Sequence, residues 1–219
     1  GSKKVVHFSN GHSESFTTLI STIPLDIFLR SLQKSSSSTL HSSAKHLRCN
    51  SVLNFNLGIH KEKISDKHWI YFPEKQFPQY RMGFYHNLSP TMAPKGCSSL
   101  YGEIAYFPHQ KRFLQQKLKT AVKLAQNLLG FSAQEIATEK IVTIRHAYVT
   151  YDFWRERNIE KIHQILNEQN IFSIGRYGGW KYSSMQESFL EGKQNAEMIL
   201  NRQGSFTKET NEHRFVIPL

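Results

Sequence analysis

The sequence predicts an α+β fold, in which an antiparallel or mixed sheet with flanking helices is followed by a closing strand–turn–helix segment. Three observations support this fold class. Four β-rich runs separated by turn residues lie between residues 51 and 107. Residues 113–129 carry apolar side chains at helical spacing. Residues 171–192 have the pattern of a buried strand, a glycine turn and a capped helix.

At the N-terminus, residues 3–8 and 15–22 are rich in Val, Phe, Thr and Ile. Asn10-Gly11 lies between them, and Asn-Gly is the strongest short signal for a β-hairpin. The sequence therefore predicts a hairpin whose second strand continues to residue 22.

Pro24 suits the first turn of a helix, and apolar residues follow it at helical spacing. These residues are Leu25, Phe28, Leu29 and Leu32. Residues 34–43 are polar and rich in serine, which predicts a loop.

Residues 51–59 alternate between apolar and other side chains, which predicts a half-buried strand. The opposite face carries Asn54 and Asn56, which either line a pocket or face water. Three further strands are predicted over residues 68–73, 79–86 and 100–107. The predicted buried face of the first strand is Leu53, Phe55, Leu57 and Ile59, and that of residues 79–86 is Tyr80, Met82 and Phe84.

The helix over residues 113–129 is predicted to end at Gly130. Ser132 and Glu135 form a capping box, which predicts a short helix after them. A strand over residues 140–148 and a helix over residues 158–168 are predicted to follow.

The last helix is predicted to begin at a capping box formed by Ser184 and Glu187. One face of this helix narrows to small residues, which predicts that it lies close on a sheet. That face comprises Met185, Phe189, Gly192, Ala196 and Ile199. Residues 201–219 are polar and are predicted to be a loose tail.

The 219 residues carry a formal net charge of +11. The basic residues are scattered, so the charge favours a solvated surface and we expect no nucleic-acid partner. Cys49 and Cys97 are far apart, and no histidine has a recognised metal spacing, so we expect a reducing, cytoplasmic environment and no metal site. No apolar run is long enough to span a bilayer. Gly1-Ser2 resembles a cloning scar, which predicts that a native N-terminus is missing.

Residues 175–185, GRYGGWKYSSM, resemble the closing motif of flavoproteins of the amine oxidase and protoporphyrinogen oxidase superfamily, to which UDP-galactopyranose mutase is related. In that group the strand ends in Gly-Arg or Gly-Glu, and the next helix points its N-terminus at the isoalloxazine of FAD. A second block resembles the substrate-domain sheet of the same oxidoreductases. It includes residues 69–74 (WIYFPE), 80–81 (YR), 87–90 (NLSP), 93–94 (AP) and 99–103 (SLYGE).

This group also needs a dinucleotide-binding fold with G-x-G-x-x-G, which the sequence lacks. The resemblance therefore implies a C-terminal half, whose partner is the missing N-terminal dinucleotide-binding half. FAD would belong to the intact parent, and this chain alone is expected to hold it poorly or not at all. The implied parts are 3–24, the hairpin and return strand of the flavin domain; 25–150, the substrate domain; 151–200, a helix and the closing strand–turn–helix of the flavin domain; and 201–219, the tail.

The resemblance assigns cofactor-binding roles to Gly175, Arg176, Tyr177, Ser184 and Met185. Gly175 would allow close backbone approach, and Arg176 would neutralise a diphosphate of FAD or of a nucleotide sugar. Ser184 and Met185 would offer amides to the pyrimidine oxygen of the flavin and so stabilise the charge of the reduced ring.

The substrate-binding residues implied are Tyr148 and Tyr182, with Asn54 and Asn56 on the polar strand face. Tyr148 belongs to residues 146–152 (HAYVTYD), which resemble the family segment that approaches the flavin, although core packing explains a tyrosine there equally well. A tyrosine stands at the position of Tyr182 in the mutases. The mutase pattern has an acidic residue where this sequence has Ser184.

Three functions are consistent with these patterns. The first is a truncated FAD-dependent oxidoreductase of the amine oxidase or protoporphyrinogen oxidase type, and the second is a sugar-nucleotide flavoenzyme similar to UDP-galactopyranose mutase. The third is a non-catalytic binding module that keeps the fold. A small-molecule substrate is expected, with a phosphate-bearing one as an option. No residue pair has the pattern of a general acid and base.

Overall fold

The computed structural model describes residues 4–33 and 38–204. It has the α+β fold that the sequence predicts. The chain divides into two compact units, of which the first contains Gly1–Leu47 with Tyr151–Leu219 and the second contains Arg48–Thr150. Residues 25–47 thus belong to the first unit, and the assignment of 25–150 to a substrate domain stays a prediction. None of the described helices is long and apolar enough to cross a membrane.

The strands are β1 (Lys4–His7), β2 (Ser13–Phe16), β3 (Leu19–Ser21), β4 (Cys49–Ile59), β5 (Trp69–Tyr71), β6 (Arg81–Phe84), β7 (Ser98–Tyr106), β8 (Ile136–Val149) and β9 (Ile171–Ser173). The helices are α1 (Leu25–Ser31), α2 (Ser38–Ser43), α3 (Tyr85–Leu88), α4 (Leu114–Leu129), α5 (Phe153–Glu168), α6 (Gly175–Gly178) and α7 (Met185–Gly204). Three 3₁₀ turns cover Pro90–Met92, Pro108–Phe113 and Ala133–Glu135.

The second unit is built on a five-stranded antiparallel sheet in the order β5-β6-β7-β4-β8. The apolar face predicted for β4 is buried, and α4 contributes to the same hydrophobic core. Gly130, with a φ of 65°, ends α4 as predicted, because glycine adopts this left-handed conformation without strain. The core includes Phe55, Leu57, Met82, Phe84, Leu100, Ile104, Leu118 and Ala121.

In the first unit, β1 and β2 form the predicted hairpin. The prediction that its second strand continues to residue 22 is wrong. Leu19–Ser21 forms a separate strand, β3, which pairs in parallel with β9 and places Ile20 opposite Phe172. This pairing joins residues that are distant in sequence, so local patterns do not reveal it.

Other boundaries differ from the predictions. Strand β6 ends at Phe84, since Tyr85–Leu88 is helical, and β8 begins at Ile136, four residues earlier than expected. Ser38–Ser43 is helical instead of a loop, and residues 34–37 of that stretch lie outside the described residues. Helix α5 begins at Phe153, five residues earlier than expected, because the Asp152 side chain accepts a hydrogen bond from the Arg155 amide and caps the helix. Helix α7 continues through residues 201–204, which were expected in the tail, and residues 205–219 lie outside the described part.

The prediction that α7 lies close on a sheet is wrong for the described residues. The side chains of Met185 and Phe189 are 93% and 73% exposed. A Cβ atom added to Gly192 would meet nothing within 4 Å. The apolar face of α7 is therefore open at its N-terminal end.

Candidate functional site

The closing segment of the first unit starts at β9, a buried strand that leads directly into α6. Gly175 has a φ of +76° and an open space where a Cβ atom would stand. Its amide donates a hydrogen bond to Glu191 of α7, with 3.0 Å between the nitrogen and Oε2. The other oxygen of Glu191 lies 3.1 Å from the Lys181 ammonium. Glu191 thus connects α7 to both ends of the turn.

The turn packs tightly against the parallel pair of strands. A Cβ atom on Gly178 would lie 2.8 Å from the carbonyl oxygen of Ser21 in β3, which is closer than packed atoms approach. The Ser173 hydroxyl donates to the Gly178 carbonyl at 3.0 Å. Only a glycine allows this approach of α6 to β3.

Arg176 and Tyr177 are half-buried in α6. The guanidinium carbon of Arg176 lies 5.1 Å from the centre of the Tyr182 ring, and Nη1 donates to the Ser183 carbonyl at 3.4 Å. The Tyr177 carbonyl accepts a bond from the Trp180 amide. The structure therefore brings Arg176 and Tyr182 together, two residues to which the resemblance assigns diphosphate and substrate contacts.

The capping box predicted at the start of α7 is present. The Ser184 amide donates to Glu187 at 2.6 Å, and the Glu187 amide donates to the Ser184 hydroxyl at 3.2 Å. The bonds from the backbone and side chain of Ser184 hold the pKa of Glu187 below its usual value. Because Glu187 accepts the Ser184 amide, that amide is occupied within the chain.

The Met185 amide, unlike the Ser184 amide, takes no part in the capping box. The first helical bond of α7 runs from the Ser188 amide to the Ser184 carbonyl at 3.0 Å. Within the described residues, the amides of Met185 and Gln186 have no hydrogen-bond acceptor, as is usual for the first turn of a helix. Unpaired amides at the positive end of a 20-residue helix can bind an anionic or electron-rich oxygen.

Two residues outside the predicted site hold the aromatic segment before α7. The Tyr151 hydroxyl accepts a hydrogen bond from the Tyr182 amide at 2.7 Å. Arg155 Nε donates to the carbonyl of the fully buried Trp180 at 2.8 Å, and the Arg155 guanidinium lies 4.2 Å from the Tyr151 ring. No local sequence pattern predicts this arrangement, because the bonds join residues 151 and 155 to main-chain atoms of residues that are distant in sequence.

In the second unit, the polar face of the sheet carries rows of side chains opposite one another. One row joins Asn54 of β4, Glu103 of β7 and Arg81 of β6. The next row joins Asn56, Tyr101 and Gly83. Asn56 donates to the Asn54 side chain at 2.6 Å.

Glu103 is the centre of the first row and is only 9% exposed. It accepts hydrogen bonds from the Tyr80 hydroxyl and from Arg81, with 2.5 Å between Arg81 Nη2 and Glu103 Oε1. Burial raises the pKa of Tyr80, and its hydrogen bonds to Glu103 and Tyr148 raise it further. Tyr80 is therefore a neutral hydroxyl at ordinary pH and holds Glu103 and Tyr148 in one network.

Aromatic rings cover the second row. The Tyr101 ring occupies the space where Gly83 would carry a Cβ, stacks on Tyr85 with 4.7 Å between ring centres, and lies 5.7 Å from the Arg81 guanidinium. Burial raises the pKa of both Tyr85 and Tyr101. The predictions included Asn54, Asn56 and Tyr148 but not Glu103, Arg81 and Tyr101, which share the sheet face of the two asparagines. Alternation places each of them on one face of its own strand, and the register of the three strands then brings them into line with Asn54 and Asn56.

No family model matches the chain. Solved structures do. A reduced UDP-galactopyranose mutase is 24% identical, with a TM-score of 0.79, over 91% of this chain and 44% of the mutase chain. An Exiguobacterium protein with the provisional name protoporphyrinogen oxidase is 14% identical, with a TM-score of 0.69, over 89% of this chain and 43% of that chain. An engineered putrescine oxidase is 13% identical, with a TM-score of 0.69, over 90% and 46%.

This chain thus spans less than half the length of the solved structures that it matches. The matches include a mutase, a protein named as a protoporphyrinogen oxidase and a putrescine oxidase, which are the groups that the closing motif resembles. Over nearly its whole length, this chain has the same fold as the matched parts of these solved structures.

Proposed function

We propose that this chain forms the substrate sheet and the flavin-facing helix terminus of an FAD-dependent oxidoreductase of the amine oxidase or protoporphyrinogen oxidase type. The observation that carries the proposal is the open N-terminus of α7, where Met185 is 93% exposed and its amide lacks an acceptor within the described residues.

The residues around this terminus fit a flavin ring. Gly175 leaves an open space in place of a side chain, and the first-turn amides of α7 are aligned with the positive end of the helix. Arg176 supplies a positive charge for a diphosphate. These groups would hold one side of FAD, and the dinucleotide-binding half would hold the rest.

When bound, FAD supplies the electron transfer, and the protein binds and orients the substrate. The Met185 amide would donate to the pyrimidine side of the ring and favour its reduced, negatively charged form. Ser184 keeps the helix start in place through Glu187, so its part is to position Met185.

The substrate contacts proposed for the second unit lie on the polar sheet face, among Asn54, Asn56 and Tyr148. Glu103 accepts hydrogen bonds from the Tyr80 hydroxyl and the Arg81 guanidinium and so fixes the position of both. A face of neutral hydroxyls, amides and a paired guanidinium suits a polar small molecule.

A sugar-nucleotide mutase-like enzyme is the second candidate. The mutase structure has a TM-score of 0.79, and the resemblance gives the mutases a tyrosine at the position of Tyr182. Ser184 departs from it, because the mutases carry an acidic residue at this position. A non-catalytic module with the same fold is the third candidate, and it predicts that no form of the protein binds flavin.

The test uses the longer protein that contains this chain together with a dinucleotide-binding half. Purified, it should be yellow and release FAD on heating, whereas this chain alone should bind added FAD weakly or not at all. Net reduction of the flavin by an amine or a porphyrinogen would support the first candidate. Isomerisation of a UDP-sugar without net redox change would support the second, and a colourless longer protein would overturn both.

A further inference from the structure

The first half of helix α7 is attached to the rest of the first unit by polar contacts. No residue from 185 to 201 is buried. The apolar side chains of Met185, Phe189 and Leu190 are 93%, 73% and 44% exposed. Apolar packing within the described residues therefore contributes little to the position of this part of the helix.

The half-buried side of the same stretch carries Ser188 and Glu191, which are three positions apart and so lie on one side of the helix. The Ser188 hydroxyl lies 2.9 Å from the hydroxyl of its near neighbour Ser183. Within the described residues, Glu191 is the first residue of α7 whose side chain has a polar contact with the α6 turn.

The two contacts of Glu191 share one carboxylate. Its Oε2 accepts the Gly175 amide at 3.0 Å, and its Oε1 lies 3.1 Å from the Lys181 ammonium. The Glu191 side chain is only 21% exposed, so water screens these contacts less than it screens surface ion pairs. Because charge-assisted hydrogen bonds are roughly twice as strong as neutral ones, Glu191 can hold α7 without apolar packing.

The turn to which Glu191 binds is itself fixed. Trp180 is fully buried and has a φ of 48°, a left-handed conformation that bulky residues adopt only where their surroundings hold them. Its carbonyl accepts the bond from Arg155, and the Gly179 amide donates to the Gly175 carbonyl at 2.8 Å. A carboxylate bound to such a turn has a defined position, and so does the helix that carries it.

We propose that Glu191 is a positioning residue for the proposed flavin site: it fixes the direction of the first half of α7, and with it the position of the Met185 amide. Glu191 lies six residues beyond Met185, about 9 Å along the helix axis, so it acts through the helix. This role rests on the proposed function, since the Met185 amide needs a flavin to act on. The attachment of α7 to the turn is a property of this chain alone.

The first test measures this attachment by NMR on this chain. In Glu191→Ala, hydrogen exchange of the Gly175 amide should become at least about tenfold faster, because the amide loses a charged acceptor. Residual dipolar couplings of α7 should lose part of their size relative to those of α5, because the helix is no longer held in one direction. Glu197→Ala removes a more exposed carboxylate of α7, which pairs only with Lys193, and should change neither. Unchanged exchange and couplings in Glu191→Ala would overturn the proposal.

The second test is the two-electron midpoint potential of FAD in the longer protein. Glu191→Ala should lower it by about 30 mV, a tenfold smaller equilibrium constant for reduction, because the reduced ring loses the Met185 amide. Loss of the carboxylate charge alone would raise the potential, since a nearby negative charge disfavours the reduced anionic ring. Adding Glu191→Ala to Met185→Pro should lower the potential no further than Met185→Pro alone, because both changes act on one amide.

Glu191→Gln replaces Glu191→Ala if circular dichroism shows the latter to be unfolded. It keeps an oxygen acceptor for the Gly175 amide and loses the charge that Lys181 binds, so its effects should have the same signs and be smaller. A raised or unchanged potential, or additive effects in the double variant, would overturn the positioning role. A longer protein without flavin would overturn the proposed function instead, and the exchange and couplings of this chain would still decide whether Glu191 holds α7.

Discussion

The Tyr151 hydroxyl accepts a hydrogen bond from the Tyr182 amide at 2.7 Å, although the two residues are 31 positions apart. Tyr182 lies between the α6 turn and the capping box of α7. This bond therefore holds the segment that determines where the N-terminus of α7 points, without using the Tyr182 side chain.

Tyr151→Phe should lower the free energy of unfolding by about 0.5–1.5 kcal/mol, because it removes one hydrogen bond and keeps the ring beside Arg155. Urea denaturation of this chain measures the change. Tyr182→Phe is the matched control, since the bond uses its main-chain amide, and it should have little effect. Equal losses in both variants would show that the bond does not stabilise the segment.

Gly178→Ala should destabilise the first unit by about 1–3 kcal/mol, because its Cβ would lie 2.8 Å from the Ser21 carbonyl oxygen, a rigid main-chain atom. Gly192→Ala in α7 meets nothing within 4 Å and should be neutral or stabilising by up to about 1 kcal/mol. Chemical denaturation compares the two. A neutral Gly178→Ala would contradict the close approach of α6 to β3.

Glu103→Gln should lower the free energy of unfolding by about 1.5–3 kcal/mol, since Arg81 and Tyr80 lose a charged acceptor at a nearly buried position. Glu160→Gln, at an exposed position of α5, should change it by less than about 0.5 kcal/mol. Thermal and urea unfolding both report the difference. If the two variants behave alike, the Glu103 network does not contribute to stability.

Stability should fall at alkaline pH. The folded state raises the pKa of Tyr80 above the value of about 10 that the unfolded chain has. Its contribution is therefore complete below pH 10 and is lost as the pH rises further, because the unfolded state then releases the proton first. Unfolding measured from about pH 8 to about pH 11 should show this slope, and Tyr80→Phe should reduce it. Tyr182→Phe, which removes an exposed hydroxyl, should leave the slope in place.

Local patterns predicted the parts of the fold that depend on near neighbours. The alternation of residues 51–59 predicted the buried face of β4. Gly130 predicted the end of α4, and the Ser184–Glu187 capping box predicted the start of α7. Each of these features is decided within about one turn or one strand of sequence.

The local patterns did not predict features that depend on residues far apart in the sequence. The parallel pairing of β3 with β9 separates Leu19–Ser21 from the hairpin, and helix periodicity alone cannot tell a packed face of α7 from an open one. The same limit applies to the site. Asn54 and Asn56 followed from alternation within one strand, whereas Glu103 and Arg81 join them only through the register of three strands.

The central claim is that the Met185 amide at the start of α7 faces the flavin ring. Met185→Pro tests it, because proline is tolerated at the first helical position and removes the amide proton together with the side chain. Met185→Ala removes the side chain but keeps the amide and is the control. The measurement is the two-electron midpoint potential of FAD in the longer protein. We expect Met185→Pro to lower it by about 30–60 mV, equivalent to one hydrogen bond to a charged group of about 1.5–3 kcal/mol, while Met185→Ala leaves it unchanged. An unchanged potential in Met185→Pro would contradict the account.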